Sequence, residues 1–100
     1  MTPPYAVSFR TYAARQIQRE RSWLHNHRGP HVADAFEAEL RHTLELVAEN
    51  PTMGPAVPGA EDERRIFLLG SRFHVYYLVD AKKQSVRVIR LRHEKQRPVR

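Results

Sequence analysis

The fold of this chain is decided by residues 72–79, which read RFHVYYLV. Apolar side chains recur there at every second position, a spacing that places them on one face of an extended strand. That face carries Phe73, Val75, Tyr77 and Val79. The opposite face carries Arg72, His74, Tyr76 and Leu78. The pattern predicts a strand with one apolar face and one more polar face.

Two further strands flank this one in the sequence. Residues 65–69 are apolar after their first arginine, and residues 85–92 mix apolar residues with arginines. Gly70-Ser71 and the polar segment 80–84 separate the three strands. Because connections this short join antiparallel neighbours, we predict two consecutive hairpins.

The first half of the chain predicts a strand followed by two helices. Residues 5–9 alternate as a short strand does. An amphipathic helix follows from residue 11 and ends before Gly29-Pro30, and a second helix then runs to Asn50-Pro51. The segment 51–59 holds three prolines and two glycines, so we expect a loop without regular structure.

These elements together predict one α+β domain over residues 1–100, in the order β-α-α-β-β-β. A helical hairpin packs on one face of a small, mostly antiparallel sheet. Two helices can cover only one face of the sheet, so we expect the other face to meet solvent or a partner.

The charge of the chain points to an anionic partner. Lysine and arginine number 17 against 11 acids, for a net charge of +6. The excess is concentrated at the C-terminus, where Glu94 is the one acid after Val86. The basic residues there are Arg87, Arg90, Arg92, Lys95, Arg97 and Arg100. Such a cluster suits nucleic acid or an acidic protein segment, although a solvated surface that only aids solubility is the alternative.

Several classes of protein are disfavoured by what the sequence lacks. It has no cysteine, which fits a reducing cytosol and leaves no disulfide or thiolate metal site. No apolar run approaches a membrane span, and the N-terminus has no signal-peptide layout, so we expect a soluble, cytoplasmic protein with no membrane partner. His25, His27 and His31 have no carboxylate arranged around them, and we expect no metal and no cofactor.

Several motifs together resemble the RelE/ParE toxin superfamily of type II toxin–antitoxin systems. The second helix ends in Asn50-Pro51 with Gly54 three residues on, and Arg64-Arg65 precedes an apolar strand. Residues 70–79 and the terminal pattern His93, Arg97, Pro98 are the strongest part of the resemblance. It covers nearly the whole chain and implies the fold predicted above.

The resemblance implies a toxin that a cognate antitoxin holds inactive, often in a complex that represses its own operon. Operator DNA is then a partner only through that complex. RelE-like members enter the ribosome and cleave messenger RNA, whereas ParE-like members are thought to block DNA gyrase and are not nucleases.

A RelE-like mechanism would be metal-independent RNA cleavage. Arg72 matches an arginine that contacts the phosphate in RelE-like enzymes, Arg90 or Arg92 can supply a second, and His93 can act as acid or base. Against this, no tyrosine follows His93, and three acids at 61–63 stand where a phosphate groove should be basic. Arg72 has a plainer alternative, which is pairing with Asp62 or Glu63 across the hairpin.

We therefore favour the ParE-like interpretation, in which the protein is not an enzyme and blocks gyrase through a complementary surface. The residues expected to bind the target or nucleic acid are Arg72, Arg90, Arg92, Arg97 and Arg100. The first helix is poor in apolar residues, and Ile17 and Leu24 are the expected antitoxin contacts. A non-toxic binding module of the same fold is the third hypothesis.

Overall fold

The computed structural model describes residues 3–95. Its elements, in order, are β1 (Ala6–Phe9), α1 (Thr11–Arg28), α2 (Pro30–Glu49), β2 (Ala56–Val57), β3 (Ala60–Leu68), β4 (Phe73–Asp80) and β5 (Ser85–His93). The strands form one sheet in the order β1-β5-β4-β3-β2. The predicted α+β fold, with a helical hairpin on a mostly antiparallel sheet, is confirmed. The one parallel pair among the described strands is β1 with β5.

The expectation that residues 51–59 lack regular structure is wrong in one place. Ala56 and Val57 form β2, which pairs with β3, and Gly59 turns the chain with a φ of 82°. Because β2 supplies a partner, β3 begins at Ala60 rather than at Arg65, and the acids at 61–63 lie within a strand. Glycine suits the turn because it adopts positive φ without steric cost.

The two helices form a tight antiparallel hairpin. Gly29 has a φ of 100°, and its amide donates to the carbonyl oxygens of Leu24 and His25, which closes α1. Pro30 then opens α2 at the first helical position, where its missing N–H costs nothing. Neither helix described within residues 3–95 is long and apolar enough to cross a bilayer.

The core lies between the hairpin and one face of the sheet. Its members are buried apolar side chains from both layers: Ala13, Phe36, Leu40, Leu44, Leu68, Phe73, Val75, Val88 and Leu91. A smaller cluster of Val47, Tyr77 and Val86 continues it along the sheet. Gln16 of α1 exchanges two hydrogen bonds with the backbone of Leu91, at 2.8 and 2.9 Å, on the part of β5 that extends beyond the pairing with β1.

The alternation predicted for residues 73–79 places Tyr77 in the core, but the strand is not regular. Tyr76 pairs with Arg90 and Tyr77 pairs with Val88, so Ile89 is an extra residue in β5. Such a bulge bends the strand and increases its twist. Tyr76 and Tyr77 are both buried, on opposite faces of the sheet.

Candidate functional site

The face of the sheet that points away from the helices carries a basic and aromatic surface. We call it the open face; its residues are Arg65, Phe67, His74, Tyr76, Arg90 and Arg92. Their strand neighbours, such as Ile66, Val75 and Leu91, pack on the helices, so alternation directs these six to the other side.

The open face is arranged in two rows that each cross three strands. Arg65 pairs with Tyr76, which pairs with Arg90. In the next row Phe67 pairs with His74, which pairs with Arg92. Each row thus sets one residue of β3, one of β4 and one of β5 side by side.

Tyr76 is the centre of the open face. Its side chain is 4% exposed, and the Arg90 guanidinium lies 4.0 Å from the centre of its ring. Nε of Arg92 donates to the phenol oxygen at 3.3 Å, and Arg65 is near enough to influence the same group. Burial by itself raises the pKa of Tyr76, but the hydrogen bonds and positive charges of the two arginines outweigh it and lower that pKa.

Arg90 is partly neutralised by an acid from the 61–63 run. Nη2 of Arg90 lies 3.1 Å from Oε1 of Glu63, although the geometry of the contact does not make a hydrogen bond. The contact is therefore an ion pair. It places one carboxylate beside the first row of the open face.

Arg72 lies at the edge of the open face, in the turn between β3 and β4. Its φ is 67°, an unusual value for a residue with a side chain. Nη2 donates to Oε1 of Glu94 at 3.0 Å, and Nε donates to Oε2 of the same carboxylate. The partner is thus Glu94, and the predicted pairing with Asp62 or Glu63 is wrong. The hydrogen bonds from Arg72 lower the pKa of Glu94.

His93 lies on the other side of the sheet. Its ring and the Phe73 ring form a T-shaped pair at a centroid distance of 5.0 Å, and Phe73 in turn contacts Phe36 of α2. Burial raises the pKa of Glu20 on α1, and the charge of His93 offsets part of that rise. The structure therefore does not bring His93 together with Arg90 and Arg92.

His74 also lies on the open face, although it is not among the site residues predicted from sequence. Its ring lies 4.8 Å from that of Phe67 and 6.5 Å from that of Tyr76. Burial lowers the pKa of His74, and the charges of Arg65 and Arg92 lower it further against a smaller opposing effect of Glu94. The alternation in residues 72–79 was the available signal, because it places His74 and Tyr76 on the face opposite the core.

Ile17 and Leu24 are half-buried on one side of α1 and pack against the core. They line different depressions. Ile17 belongs to the β1 groove, formed with Val7, Phe9, Leu40 and Leu44. Leu24 belongs to the hairpin-end groove, formed with Glu20, Trp23, Phe36, Phe73 and His93.

Two of the predicted binding residues, Arg97 and Arg100, lie outside the described residues. The remaining members of that set, Arg72, Arg90 and Arg92, lie on or beside the open face.

A family model gives the chain its assignment. The model for the ParE toxin of type II toxin–antitoxin systems matches residues 7–98. The chain belongs to the ParE toxin family. Membership confirms the predicted superfamily and the preference for its ParE-like branch. No curated protein sequence gives a significant match to this ParE-family chain.

Solved toxins share the fold of this ParE-family chain. A chromosomal ParDE system from P. aeruginosa superimposes with a TM-score of 0.73 at 13% identity, covering 89% of this chain and 95% of that one. The isolated E. coli RelE toxin gives 0.67 at 22% identity, covering 93% and 87%. The intact E. coli RelBE toxin–antitoxin complex gives 0.67 at 22% identity, covering 92% and 99%. At these identities the likeness shows the fold alone.

Proposed function

We propose that this chain is a toxin that a cognate antitoxin neutralises, and that it stops growth by binding DNA gyrase rather than by cleaving RNA. The observation that carries the choice of mechanism is the position of His93. RNA cleavage without a metal needs an acid or base within hydrogen-bond reach of the phosphate that the arginines hold. His93 faces Phe73 on the helix side of the sheet, whereas Arg90 and Arg92 face the opposite side.

Membership of the ParE family supports the same choice, since the resemblance to ParE-like toxins implies gyrase as the target. A toxin that works by binding needs a complementary surface and no catalytic set. The open face, with Arg65, Arg90 and Arg92 on one side of the sheet, offers such a surface to the enzyme or to the DNA that it holds.

Cleavage of messenger RNA on the ribosome is the second candidate, and His74 favours it. This histidine lies on the same face as the arginines, and its lowered pKa keeps the ring neutral near pH 7, the form that accepts a proton. Tyr76 is a weaker acid–base candidate because Arg90 covers its ring and its oxygen already accepts hydrogen bonds.

The antitoxin is proposed to occupy the β1 groove. The groove is lined mainly by apolar side chains, and Phe9 among them is 41% exposed. An amphipathic helix or an added strand would cover that surface. Binding to the folded toxin alone would raise its stability by mass action, and repression of the operon is assigned to the complex.

A supercoiling assay tests the mechanism. The chain, freed from its antitoxin, is added to gyrase and relaxed plasmid, with the re-formed toxin–antitoxin complex as the control. We expect supercoiling to stop, cleaved DNA to accumulate, and the complex to have no effect. Normal supercoiling with a folded sample that cleaves messenger RNA on ribosomes would replace gyrase by the second candidate. A sample inactive in both assays would indicate a non-toxic binding module.

A further inference from the structure

We propose that Glu39 of α2 is a positioning residue for Arg72. Its carboxylate fixes the turn between β3 and β4, and that turn directs the Arg72 side chain toward the edge of the open face. The inference rests on the proposed function, because Arg72 is one of the residues expected to contact the target. Glu39 itself is half-buried on α2, where it lines the hairpin-end groove, so it acts through the turn.

The carboxylate of Glu39 binds two consecutive amides of the turn. Gly70 donates to Oε2 at 2.6 Å, and Ser71 donates to Oε1 at 3.0 Å. Consecutive amides that point the same way form a concave anion site, and hydrogen bonds to an ionised acceptor are stronger than neutral ones. Gly70 is 31 positions from Glu39 in the chain. The contact therefore joins the second helix to the end of the β3–β4 hairpin.

Gly70 leaves room for this contact. A Cβ atom at this position would lie 2.9 Å from Oε2 of Glu39 and 3.3 Å from Oε1. A methyl group there would displace the carboxylate, since that carboxylate is the movable end of a long side chain. Substitution of Gly70 is thus a second way to break the contact, and it leaves the charge of the protein unchanged.

The same turn holds Arg72 in a conformation that a side chain disfavours. Its φ is 67°, and such a value persists where the surrounding contacts impose it. The amide of Arg72 donates to the carbonyl of Leu68 at 2.8 Å, and its carbonyl accepts from the amide of Glu94 at 2.9 Å. Glu39 binds the two amides that precede Arg72. Loss of its carboxylate would let the turn relax toward the ordinary, negative φ.

The backbone at Arg72 determines where its guanidinium lies, because φ sets the direction of the Cα–Cβ bond. In the turn that Glu39 holds, the guanidinium lies 5.5 Å from the centre of the Phe67 ring, a residue of the open face. Nε and Nη2 bind Glu94, whereas Nη1 is not part of that pair. The Arg72 side chain is 52% exposed. A target at the open face can therefore reach Arg72.

A double-mutant cycle on gyrase inhibition tests the positioning role. We expect Glu39→Ala and Arg72→Gln each to raise the concentration of chain that halves supercoiling by about fivefold. The double variant should raise it no further than either single change, because Glu39 acts only through Arg72. Gly70→Ala should reproduce the effect of Glu39→Ala, which keeps the test decisive if one variant fails to fold.

The sign of the effect separates positioning from charge. Removing an acid raises the net charge of +6, which by itself favours binding to an anionic target. A loss of inhibition in Glu39→Ala would run against that charge effect. Glu49→Ala removes an equal charge from the exposed surface of α2 and should not weaken inhibition.

A second measurement does not depend on gyrase. NMR spectra of the full chain follow the Nε–H signal of Arg72 and the hydrogen exchange of the Gly70 and Ser71 amides. We expect Glu39→Ala to shift the Arg72 signal and to speed exchange of both amides by about tenfold or more, while Glu49→Ala leaves them unchanged.

The outcomes separate this inference from the proposed function. An unmoved Arg72 signal in Glu39→Ala would overturn the inference, as would an equal loss of inhibition from Glu39→Ala with and without Arg72. If the unchanged chain does not inhibit gyrase, the proposed target fails alone. The Arg72 signal and the amide exchange then still show whether Glu39 positions Arg72.

Discussion

Arg92 and His93 are neighbours in the chain and lie on opposite faces of β5. Arg92 donates to the phenol of Tyr76 on the open face, whereas His93 forms a T-shaped ring pair with Phe73 on the helix side. One peptide bond thus separates a residue of the proposed binding surface from a residue that packs under the helical hairpin. Removing each side chain should affect different properties of the protein.

Tyr77→Phe should destabilise the fold by about 1–3 kcal/mol, because removing the phenol oxygen leaves two backbone groups without their hydrogen-bond partner. The phenol of Tyr77 donates to the carbonyl of Pro51 at 2.9 Å and accepts from the amide of Gly54 at 3.0 Å. Urea unfolding measures the change. Tyr12→Phe, at a side chain 56% exposed, is the control and should leave the midpoint where it is. Equal midpoints for the two variants would contradict the role of Tyr77 in holding the loop before β2.

Arg72→Val should lower the melting temperature more than Arg72→Asn, by about 4 °C or more. Both variants lose the pair with Glu94, so their difference reports on the backbone. The φ of 67° at this position is one that asparagine tolerates and a β-branched residue resists. Thermal unfolding monitored by circular dichroism measures the difference in melting temperature. Identical melting temperatures would mean that the turn changes shape at no cost.

The free energy of unfolding should fall as the pH falls below 6.5, and His74 should contribute to that fall. Its pKa is lowered from the ordinary value of 6.5 in the folded state, by burial first and then by Arg65 and Arg92. The unfolded chain therefore binds more protons than the folded chain in this range. The free energy of unfolding decreases as the pH decreases for that reason. His74→Gln should flatten the dependence, and His42→Gln, on the exposed side of α2, serves as the comparison variant. The measurement is urea unfolding between pH 5 and 8; parallel curves for His74→Gln and the unchanged protein would refute the assignment.

Phe9→Ala should weaken binding of the antitoxin by about tenfold or more, as truncation of a central aromatic contact does. Phe9 lines the β1 groove and is 41% exposed. Leu46→Ala removes apolar surface from a side chain that is 40% exposed and does not line the groove, which makes it the matched control. Titration calorimetry with the purified antitoxin measures both. If Leu46→Ala weakens binding as much as Phe9→Ala, the antitoxin lies elsewhere.

The order and faces of the main elements could be predicted from sequence because they depend on local patterns. The alternation in residues 72–79 identifies β4 and its core side, and Gly29-Pro30 marks the break between two helices. Side-chain alternation along β5 also places Arg92 and His93 on opposite faces, although their nearness in the chain grouped them as one candidate site. The pair Val88-Ile89 interrupts the alternation and was the signal for the bulge.

What only the tertiary structure decided is which distant residues meet. Arg72 and Glu94 are 22 positions apart, and either of two nearer acids was an equally good partner by charge. The acids at 61–63 lay outside the strand predicted from sequence because charged residues carry no periodic signal. Pairing with β2 and β4 places them within β3 and brings Glu63 to Arg90. The meeting of Arg65, Tyr76 and Arg92 depends on the register of three strands. Register is set by packing across the whole sheet, and no single segment of the sequence contains it.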